Sequence, residues 1–308
     1  EYSEGYLNEG DMPGFKIYDT SQQEYYNVYP YPQNYAYEEY LVFNIDELVF
    51  DLPYSIPLHE YNNLVSFYVL PEDNSVINVL MDIQDNLVTV SGEGTSAQYS
   101  QGGDFWTGSL MNLDISSGYW LRMENADTLD DYGSPLTPGR VYDLHTGVNL
   151  VSFPSPGSVG ISAGLPDDIE DNISGIFGEN VAAFNNNGIW FGSMNSFEPG
   201  KGYWVVTSEA FQFEYNVPSG TSFVRSNELP QLPSEFEYYQ STSQAFYFIN
   251  EVSLSHYDLE QGDIILAYNN HTLVGARQWN GQYTDIPVMG YDETDENTHD
   301  FCKPGDKP

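Results

Sequence analysis

The acidic and amide side chains of residues 292–300 are the ones whose type and spacing best suit a chemical task. Asp292, Asp295, Asn297 and Asp300 lie in one segment, DETDENTHD, at residues 292–300. Oxygen ligands that alternate along a loop match the preference of Ca²⁺ for carboxylate and amide oxygens. The spacing therefore predicts a calcium site, although the segment lacks the glycine turn and the distant glutamate of an EF-hand loop. A solvated acidic loop without a metal is the alternative.

The other candidates for catalysis favour structural interpretations. His59 and His145 occupy equivalent positions in two repeated segments, which indicates a structural hydrogen bond at the start of a strand rather than a general base. Cys302 is the single cysteine, so no disulfide can form within the chain. Carboxylates are so abundant that a glycosidase pair cannot be inferred from spacing. We therefore expect a protein that is not an enzyme, with no cofactor other than the possible Ca²⁺.

Two tryptophans could instead bind a sugar. Trp106 and Trp190 occupy equivalent positions after a turn rich in glycine and asparagine, and Trp120 and Trp204 lie in a later predicted strand. Duplicated aromatic residues most often preserve a fold, because each buries a large apolar area. Core or inter-strand packing is therefore the favoured interpretation. Stacking of a glycan on Trp106 or Trp190 is the alternative, and it requires exposed rings.

These residues belong to segments that repeat. Residues 58–67 read LHEYNNLVSF and residues 144–153 read LHTGVNLVSF, an offset of 144 − 58 = 86 residues. Two further blocks recur at an offset of 84 residues: 105–110 (FWTGSL) as 189–194 (IWFGSM), and 118–121 (GYWL) as 202–205 (GYWV). A shared period over this length indicates duplicated supersecondary units.

The local pattern predicts a mainly β protein with short helices. Short aromatic or β-branched stretches alternate with clusters of Gly, Asn, Asp and Pro, as in strands joined by turns. The predicted strands are 64–70, 87–90, 118–123, 149–153, 203–207, 245–249 and 263–268, with one helix per repeat at 76–83 and 158–165.

Proline-containing connectors divide the chain into four parts. We predict an N-terminal strand segment at 1–50, two tandem α+β repeats at 51–137 and 138–220, and a C-terminal β-sandwich-like module at 232–308. Residues 51–57, 132–139, 218–220 and 229–233 contain the connectors.

The charge of the chain excludes some partners. The sequence has 46 acidic against 8 basic residues, a net charge of −38. Because a phosphate backbone is bound by a basic surface, we expect no nucleic-acid partner. No segment is apolar over the length that a membrane span needs, so we expect no membrane insertion. An acidic surface fits seawater or higher salt, where self-repulsion is screened; simple solubility is the alternative.

The two ends of the sequence share a short motif. Residues 10–13 (GDMP) and 305–308 (GDKP) align at an offset of 308 − 13 = 295. The first copy continues into the strand-like segment FKIYD at 15–19. We therefore predict that Phe15, Ile17 and Tyr18 complete the C-terminal module next to Phe246 and Phe248. The completing strand would come from the same chain, from a neighbouring copy or from further modules of a longer chain. A common turn that recurs by chance is the alternative.

Together these blocks resemble a known kind of module. The order LHxxxNLVSF, an acidic helix start, Gly-Glu, Trp-x-Gly-Ser and Gly-Tyr-Trp resembles repeat modules of large extracellular proteins predicted in marine bacteria and of structural proteins of marine phages. Residues 262–292 resemble the β module that often follows, which in such proteins continues into a Phe-Lys-x-Tyr-Asp strand. The resemblance implies an extracellular, cell-surface or virion-surface setting and no reaction.

We therefore expect a structural protein, a subunit or excerpt of a head-to-tail surface filament, layer or virion appendage. Its partners would be copies of itself or further modules of a longer chain. A carbohydrate-binding or adhesion module that contacts surface glycans is the second hypothesis. A secreted hydrolase is the least favoured one.

Overall fold

A computed structural model describes residues 6–21, 23–31, 34–100, 105–135, 140–217, 227–253 and 259–308. Strands make up 45% and helices 7% of the residues, so the prediction of a mainly β protein with short helices is confirmed. The predicted boundaries at 137/138 and 220 lie outside the described residues. No helix in the described part of the chain has both the length and the apolar character needed to cross a membrane.

The N-terminal segment forms a small antiparallel sheet. Strands β1 (Phe15–Asp19), β2 (Glu24–Tyr31) and β3 (Glu47–Val49) pair in the order β1-β2-β3. The predicted strand at 15–19 is therefore present, and Phe15 lies opposite Val28 in a hairpin with β2. Val28 is buried, whereas Ile17 and Tyr18 are exposed.

Repeat 1 consists of a five-stranded sheet, a smaller three-stranded sheet and one short helix. Its elements are β4 (Leu52–Leu58), β5 (Tyr61–Ser66), β6 (Val69–Leu70), α1 (Val76–Val79), β7 (Leu87–Gly92), β8 (Thr95–Ser100), β9 (Phe105–Gly108), β10 (Gly118–Met123) and β11 (Asp127–Pro135). The larger sheet has the order β5-β10-β7-β8-β9, and the smaller one β4-β11-β6.

Repeat 2 has a five-stranded sheet with the same strand order. Its elements are β12 (Tyr142–Leu144), β13 (Gly147–Val151), β14 (Val159–Gly160), α2 (Ile161–Gly164), β15 (Ile173–Phe177), β16 (Ala182–Asn186), β17 (Ile189–Gly192), β18 (Ser196–Phe197), β19 (Tyr203–Thr207) and β20 (Phe211–Phe213). The order β13-β19-β15-β16-β17 matches that of repeat 1 strand by strand. The repeated sequence blocks therefore encode a repeated topology.

Both helices are shorter than the sequence pattern predicts. The segment 76–83 forms α1, capped by the Ser75 hydroxyl, and then a 3₁₀ turn at Met81–Ile83. The segment 158–165 forms helix only at Ile161–Gly164, because Val159 pairs with Phe197 in a two-stranded ladder and no side chain caps α2. Glycine in such a short helix further weakens it.

The C-terminal module is built from two antiparallel strand pairs. Strands β21 (Gln244–Ile249) and β24 (Thr284–Met289) form one antiparallel pair, and β22 (Ile264–Asn269) and β23 (Thr272–Gln278) form the other. The strands predicted at 245–249 and 263–268 are present within one residue. Val274, Val288, Met289 and Phe301 form its buried core.

Each repeat has its own core, and a third apolar cluster joins the two. Trp106 packs against the core of repeat 1 and Trp190 against the core of repeat 2. The joining cluster contains Leu64, Trp120 and Leu150, with Trp204 packed against it. Packing of Trp120 and Trp204 between the two repeats agrees with the favoured structural interpretation of these residues.

Candidate functional site

The repeats are joined by a carboxylate from a turn in repeat 2. Glu179 Oε1 lies 2.5 Å from Nε2 of His59, and Glu179 Oε2 accepts a hydrogen bond from the backbone N–H of Leu64 at 2.9 Å. Nδ1 of His59 lies 2.6 Å from the carbonyl oxygen of Glu60, so both ring nitrogens are engaged. The interpretation of His59 as a structural residue therefore agrees with its contacts.

The same contact recurs in the opposite direction. Glu93 Oε1 lies 2.6 Å from Nε2 of His145, and its Oε2 accepts from the N–H of Leu150 at 3.1 Å. Glu93 and Glu179 are separated by 179 − 93 = 86 residues, the offset of the repeated histidines. The glutamate of each repeat thus contacts the histidine ring and the leucine backbone N–H of the other repeat. Reciprocal contacts of equivalent residues define an isologous, pseudo-two-fold junction.

Two glycines allow the backbones to approach at this junction. A Cβ atom on Gly202 would lie 2.6 Å from the carbonyl oxygen of Val65, and one on the equivalent Gly118 would lie 2.8 Å from Leu150 Cδ1 and 3.0 Å from Val151 O. The Gly202 N–H donates to Leu64 O at 3.1 Å. The glycine of each Gly-Tyr-Trp block is therefore required by the contact between repeats.

The junction shifts the pKa values of its ionisable groups. The hydrogen bond that the His59 ring donates to the Glu179 carboxylate is the main cause that raises the pKa of His59. Burial acts to raise the pKa of Glu179, but His59, Lys201 and the Leu64 N–H outweigh it, and the pKa is lowered. The carbonyl oxygen of Thr146, followed by Glu93, raises the pKa of His145. These shifts favour the charged forms of His59, Glu179 and His145.

The C-terminal module packs on repeat 2 through aromatic rings. Phe246 stacks on Phe177 with 5.4 Å between ring centroids and 3° between planes, and Phe248 contacts Phe184 at 5.6 Å. Phe246 and Phe248 were predicted to meet Phe15, Ile17 and Tyr18. In the described residues β1 pairs with β2 and β21 with β24, and no ladder joins β1 to the C-terminal module. Completion of that module by its own N-terminal segment is therefore not observed; completion by another copy remains a prediction.

The shared motif of the two ends adopts one geometry. Gly10 and Gly305 have φ of 94° and 100°. Asp11 Oδ2 accepts from the N–H of Asn8 at 2.6 Å, and Asp306 Oδ2 accepts from the N–H of Lys303 at 2.8 Å. The same turn also occurs at Glu260–Asp263, where the Asp263 carboxylate accepts from Glu260 N–H. The equivalence of the ends thus extends to structure, although the turn is not confined to them.

The four predicted calcium ligands make different contacts in the structure. Asp295 is buried; its Oδ1 lies 2.8 Å from Arg122 Nη2 and its Oδ2 accepts from the Tyr239 hydroxyl at 2.6 Å. Asn297 donates to Asp295, both through its backbone N–H and through its side chain. Asp292 accepts from the hydroxyls of Thr242 and Thr294, and the exposed Asp300 contacts His299.

No group of three or more His, Cys, Asp or Glu side chains in the described ranges could hold a metal ion. The loop instead attaches the C-terminal module to repeat 1, because Arg122 lies in β10. The structure therefore gives the calcium prediction no support. Sequence spacing placed the carboxylates on one loop but could not show that Arg122, 173 residues earlier, would neutralise Asp295.

One segment has the spacing of a catalytic motif. Gly160-Ile161-Ser162-Ala163-Gly164 matches the Gly-x-Ser-x-Gly pattern of a nucleophile elbow. In the structure it forms the single turn α2, with Ser162 exposed and outside the positive-φ region. Among the described residues no histidine or carboxylate contacts the Ser162 hydroxyl. The segment therefore lacks the base that a serine nucleophile needs.

A large cleft lies where repeat 2, residues 228–240 and the C-terminal module meet. Its volume is about 910 Å³, and Trp190 forms part of its wall. Trp190 is half-buried, and its indole N–H donates to Glu170 Oε1 at 3.3 Å. Trp106 lies outside this wall and packs beside Tyr99 with 5.5 Å between centroids. The two tryptophans proposed for sugar stacking therefore have different surroundings.

A buried ion pair, Arg277 with Asp285, lines the cleft. Arg277 is 6% and Asp285 2% exposed, and Arg277 Nη2 lies 3.2 Å from Asp285 Oδ2. Arg277 also donates to the carbonyl oxygen of Asn180 at 2.6 Å, and Ser193 donates to Asp285 at 2.7 Å. Burial raises the pKa of Asp285, although Arg277 acts in the opposite direction.

Sequence reasoning assigned no role to Arg277, Trp279, Tyr283 or Asp285. These residues lie in one short stretch of aromatic, amide and charged residues at 277–285, a composition that was the only available signal. No protein-family model, curated protein or solved structure matches this chain.

Proposed function

We propose that this chain is a non-enzymatic structural protein that forms part of an extracellular head-to-tail assembly. The reciprocal junction between the repeats is the observation that supports this proposal most directly. The most clearly repeated residue types of the chain, the histidine, the leucine, the glutamate and the glycine before Tyr-Trp, all lie at that junction. Duplicated residues that join modules to each other are typical of a building block rather than of a reaction centre.

Contacts continue from one module to the next. Arg122 of repeat 1 binds Asp295, and Phe177 of repeat 2 stacks on Phe246. Buried ion pairs and stacked rings hold the relative positions of modules, which suits a filament or layer that bears load. Glu179 lines the cleft, but each of its carboxylate oxygens already has a hydrogen-bond partner, His59 for one and the Leu64 N–H for the other. This pairing also favours a non-enzymatic role.

The N-terminal sheet offers a surface for the next copy. Strand β1 has one hydrogen-bonded neighbour among the described residues, and Ile17 is 41% and Tyr18 46% exposed. An exposed edge strand is a template for pairing with another chain. In the C-terminal module, Phe246 and Phe248 pack against rings of repeat 2. Strand β22 pairs only with β23 in the described ranges, and we therefore assign its open edge to β1 of a neighbouring copy.

Electrostatics sets the conditions for such an assembly. A net charge of −38 makes copies repel each other at low salt. Increasing salt shortens the screening length from roughly 8 Å at physiological strength to roughly 3 Å at 1 M. We therefore expect association in marine-like or higher salt and dispersal on dilution.

The test compares the intact chain with two matched variants at high salt, by light scattering and negative-stain electron microscopy. Ile17→Lys places a charge on the β1 edge, and Ile77→Lys places the same charge on helix α1, where Ile77 is 53% exposed. We expect Ile17→Lys to abolish assemblies that the unmodified chain and Ile77→Lys both form. A chain that stays monomeric at every salt concentration, or equal effects of the two variants, would contradict the proposal.

A further inference from the structure

We propose that the cleft between repeat 2 and the C-terminal module is a binding site for a neutral oligosaccharide. This inference goes beyond the structural role and does not depend on it. The cleft volume of about 910 Å³ is near the upper end of the roughly 300–1,000 Å³ range of ligand sites. Such sites prefer the boundary between modules, where this cleft lies.

Aromatic side chains from two modules line the cleft. Trp190 and Phe191 come from repeat 2, and Trp279 and Tyr283 come from the C-terminal module. All four are half-buried, and the rings of Phe191 and Tyr283 lie 4.3 Å apart. Partly exposed rings offer an apolar face beside a polar edge. The C–H face of a pyranose ring matches such a surface, and its hydroxyls remain free for polar contacts.

Primary amides surround these rings. Gln231, Gln278, Gln282 and Asn280 line the cleft, and each amide carries both donors and an acceptor. Sugar hydroxyls also donate and accept, so amides can match them at any orientation of the hydroxyl. Gln282 already donates to Asn250 and Asn280 already accepts from Gln261, so a purely apolar ligand would leave chiefly the amides of Gln231 and Gln278 without partners, which is costly.

The buried ion pair provides a fixed polar anchor. The Arg277 guanidinium is held by Asp285 O and Asn180 O through Nε and Nη2 at 2.8 and 2.6 Å. No described residue accepts a hydrogen bond from its Nη1, and Arg277 lines the cleft. This nitrogen can therefore donate to a ligand hydroxyl without any rearrangement, and preorganised groups bind at a lower entropic cost.

The charge of the wall selects against acidic sugars. Glu179, Glu228, Glu237 and Asp285 line the cleft, against Arg277 and His59. An anionic polysaccharide would meet a surplus of negative charge, whereas a neutral glycan would not. The ligand class is therefore a neutral oligosaccharide long enough to contact the aromatic residues of both modules.

The test is calorimetric titration of the full chain with maltohexaose, cellohexaose, laminarihexaose, mannohexaose and N-acetylchitohexaose, with alginate hexamer and pentalysine for comparison. We expect saturable binding of at least one neutral hexasaccharide and none of alginate. Trp279→Ala should weaken that binding by about tenfold or more, as truncation of a central aromatic contact does. Trp106→Ala is the matched control, because Trp106 is the repeat equivalent of Trp190 but lies outside the cleft.

A second measurement needs no variant and covers the case in which Trp279→Ala does not fold. The bound hexasaccharide should protect Trp190 and Trp279, but not Trp106, from oxidation by N-bromosuccinimide, as mapped by mass spectrometry. The proposal is overturned if no neutral sugar binds, if pentalysine or alginate binds instead, or if Trp106 is the protected residue. The Ile17→Lys variant should still bind the sugar, which separates this outcome from that of the assembly test.

Discussion

The two equivalent glutamates of the repeat junction allow the effect of burial on one contact to be measured within one molecule. Glu179→Ala and Glu93→Ala each remove a carboxylate that bonds a histidine and a backbone N–H of the other repeat. The bond lengths differ by at most 0.2 Å between the two sites, 2.9 against 3.1 Å for the N–H contact. The side chain of Glu179 is 15% exposed and that of Glu93 43%.

Burial sets the expected magnitudes. Removal of Glu179 leaves the N–H of the fully buried Leu64 without an acceptor, which costs roughly 1–3 kcal/mol. The lost pairing with the half-exposed His59 adds at most about 1 kcal/mol. Glu179→Ala should therefore destabilise the junction by about 2–3 kcal/mol. At the Glu93 site water can replace the carboxylate, so the loss should be about 1 kcal/mol.

Amide hydrogen exchange measures this effect locally, which matters because a chain of several modules need not unfold in one step. The comparison is made at about pH 6, below the raised pKa values of His59 and His145, so that both histidines are charged. The Leu64 amide should exchange at least about tenfold faster in Glu179→Ala, and the Leu150 amide several-fold faster in Glu93→Ala, at roughly 1.4 kcal/mol per factor of ten. Equal acceleration in the two variants, or a larger effect in Glu93→Ala, would refute the argument from burial.

Three further outcomes are expected. Gly202→Ala should destabilise the chain by roughly 1–3 kcal/mol, as measured by thermal melting. The effect should exceed that of Gly118→Ala, because the Cβ added at 202 meets the rigid backbone carbonyl of Val65, whereas the Cβ added at 118 first meets the Leu150 side chain. The His59–Glu179 pair should stabilise the folded chain most between about pH 4.5 and 6.5. The pKa of His59 is raised on folding, so its contribution is lost as the pH rises through that pKa. The pKa of Glu179 is lowered on folding, so its contribution is lost as the pH falls through that pKa. Melting of Glu179→Gln against the unmodified chain from well below to well above this range checks the window, and a difference that stays constant on both sides of it would contradict the prediction. Removal of divalent cations with a chelator at high salt should leave the melting temperature unchanged, since Asp295 already pairs with Arg122; a clear decrease would support the calcium prediction.

Local patterns predicted the parts of the fold that depend on neighbouring residues. The strands predicted at 87–90, 118–123 and 203–207 are present in the structure, and the repeated blocks at offsets of 86 and 84 residues predicted a repeated unit. The helices were predicted too long, because a pattern that fits a helix at 158–165 also fits Val159 in a ladder with Phe197. The structural interpretation of His59 and His145 also followed from their equivalence, although their acceptors did not.

The sequence by itself determined a mainly β, strongly acidic chain with duplicated units, because strand propensity, charge and periodicity are properties of short segments. Tertiary structure alone decided that the duplicated residues face each other. His59 contacts Glu179, which lies 120 residues later in the sequence, and no local pattern extends over that separation. It likewise placed Asp295 against Arg122, and brought Trp190 and Trp279 to the wall of one cleft. Such contacts depend on how folded sheets pack, which is set by shape and burial across the whole chain.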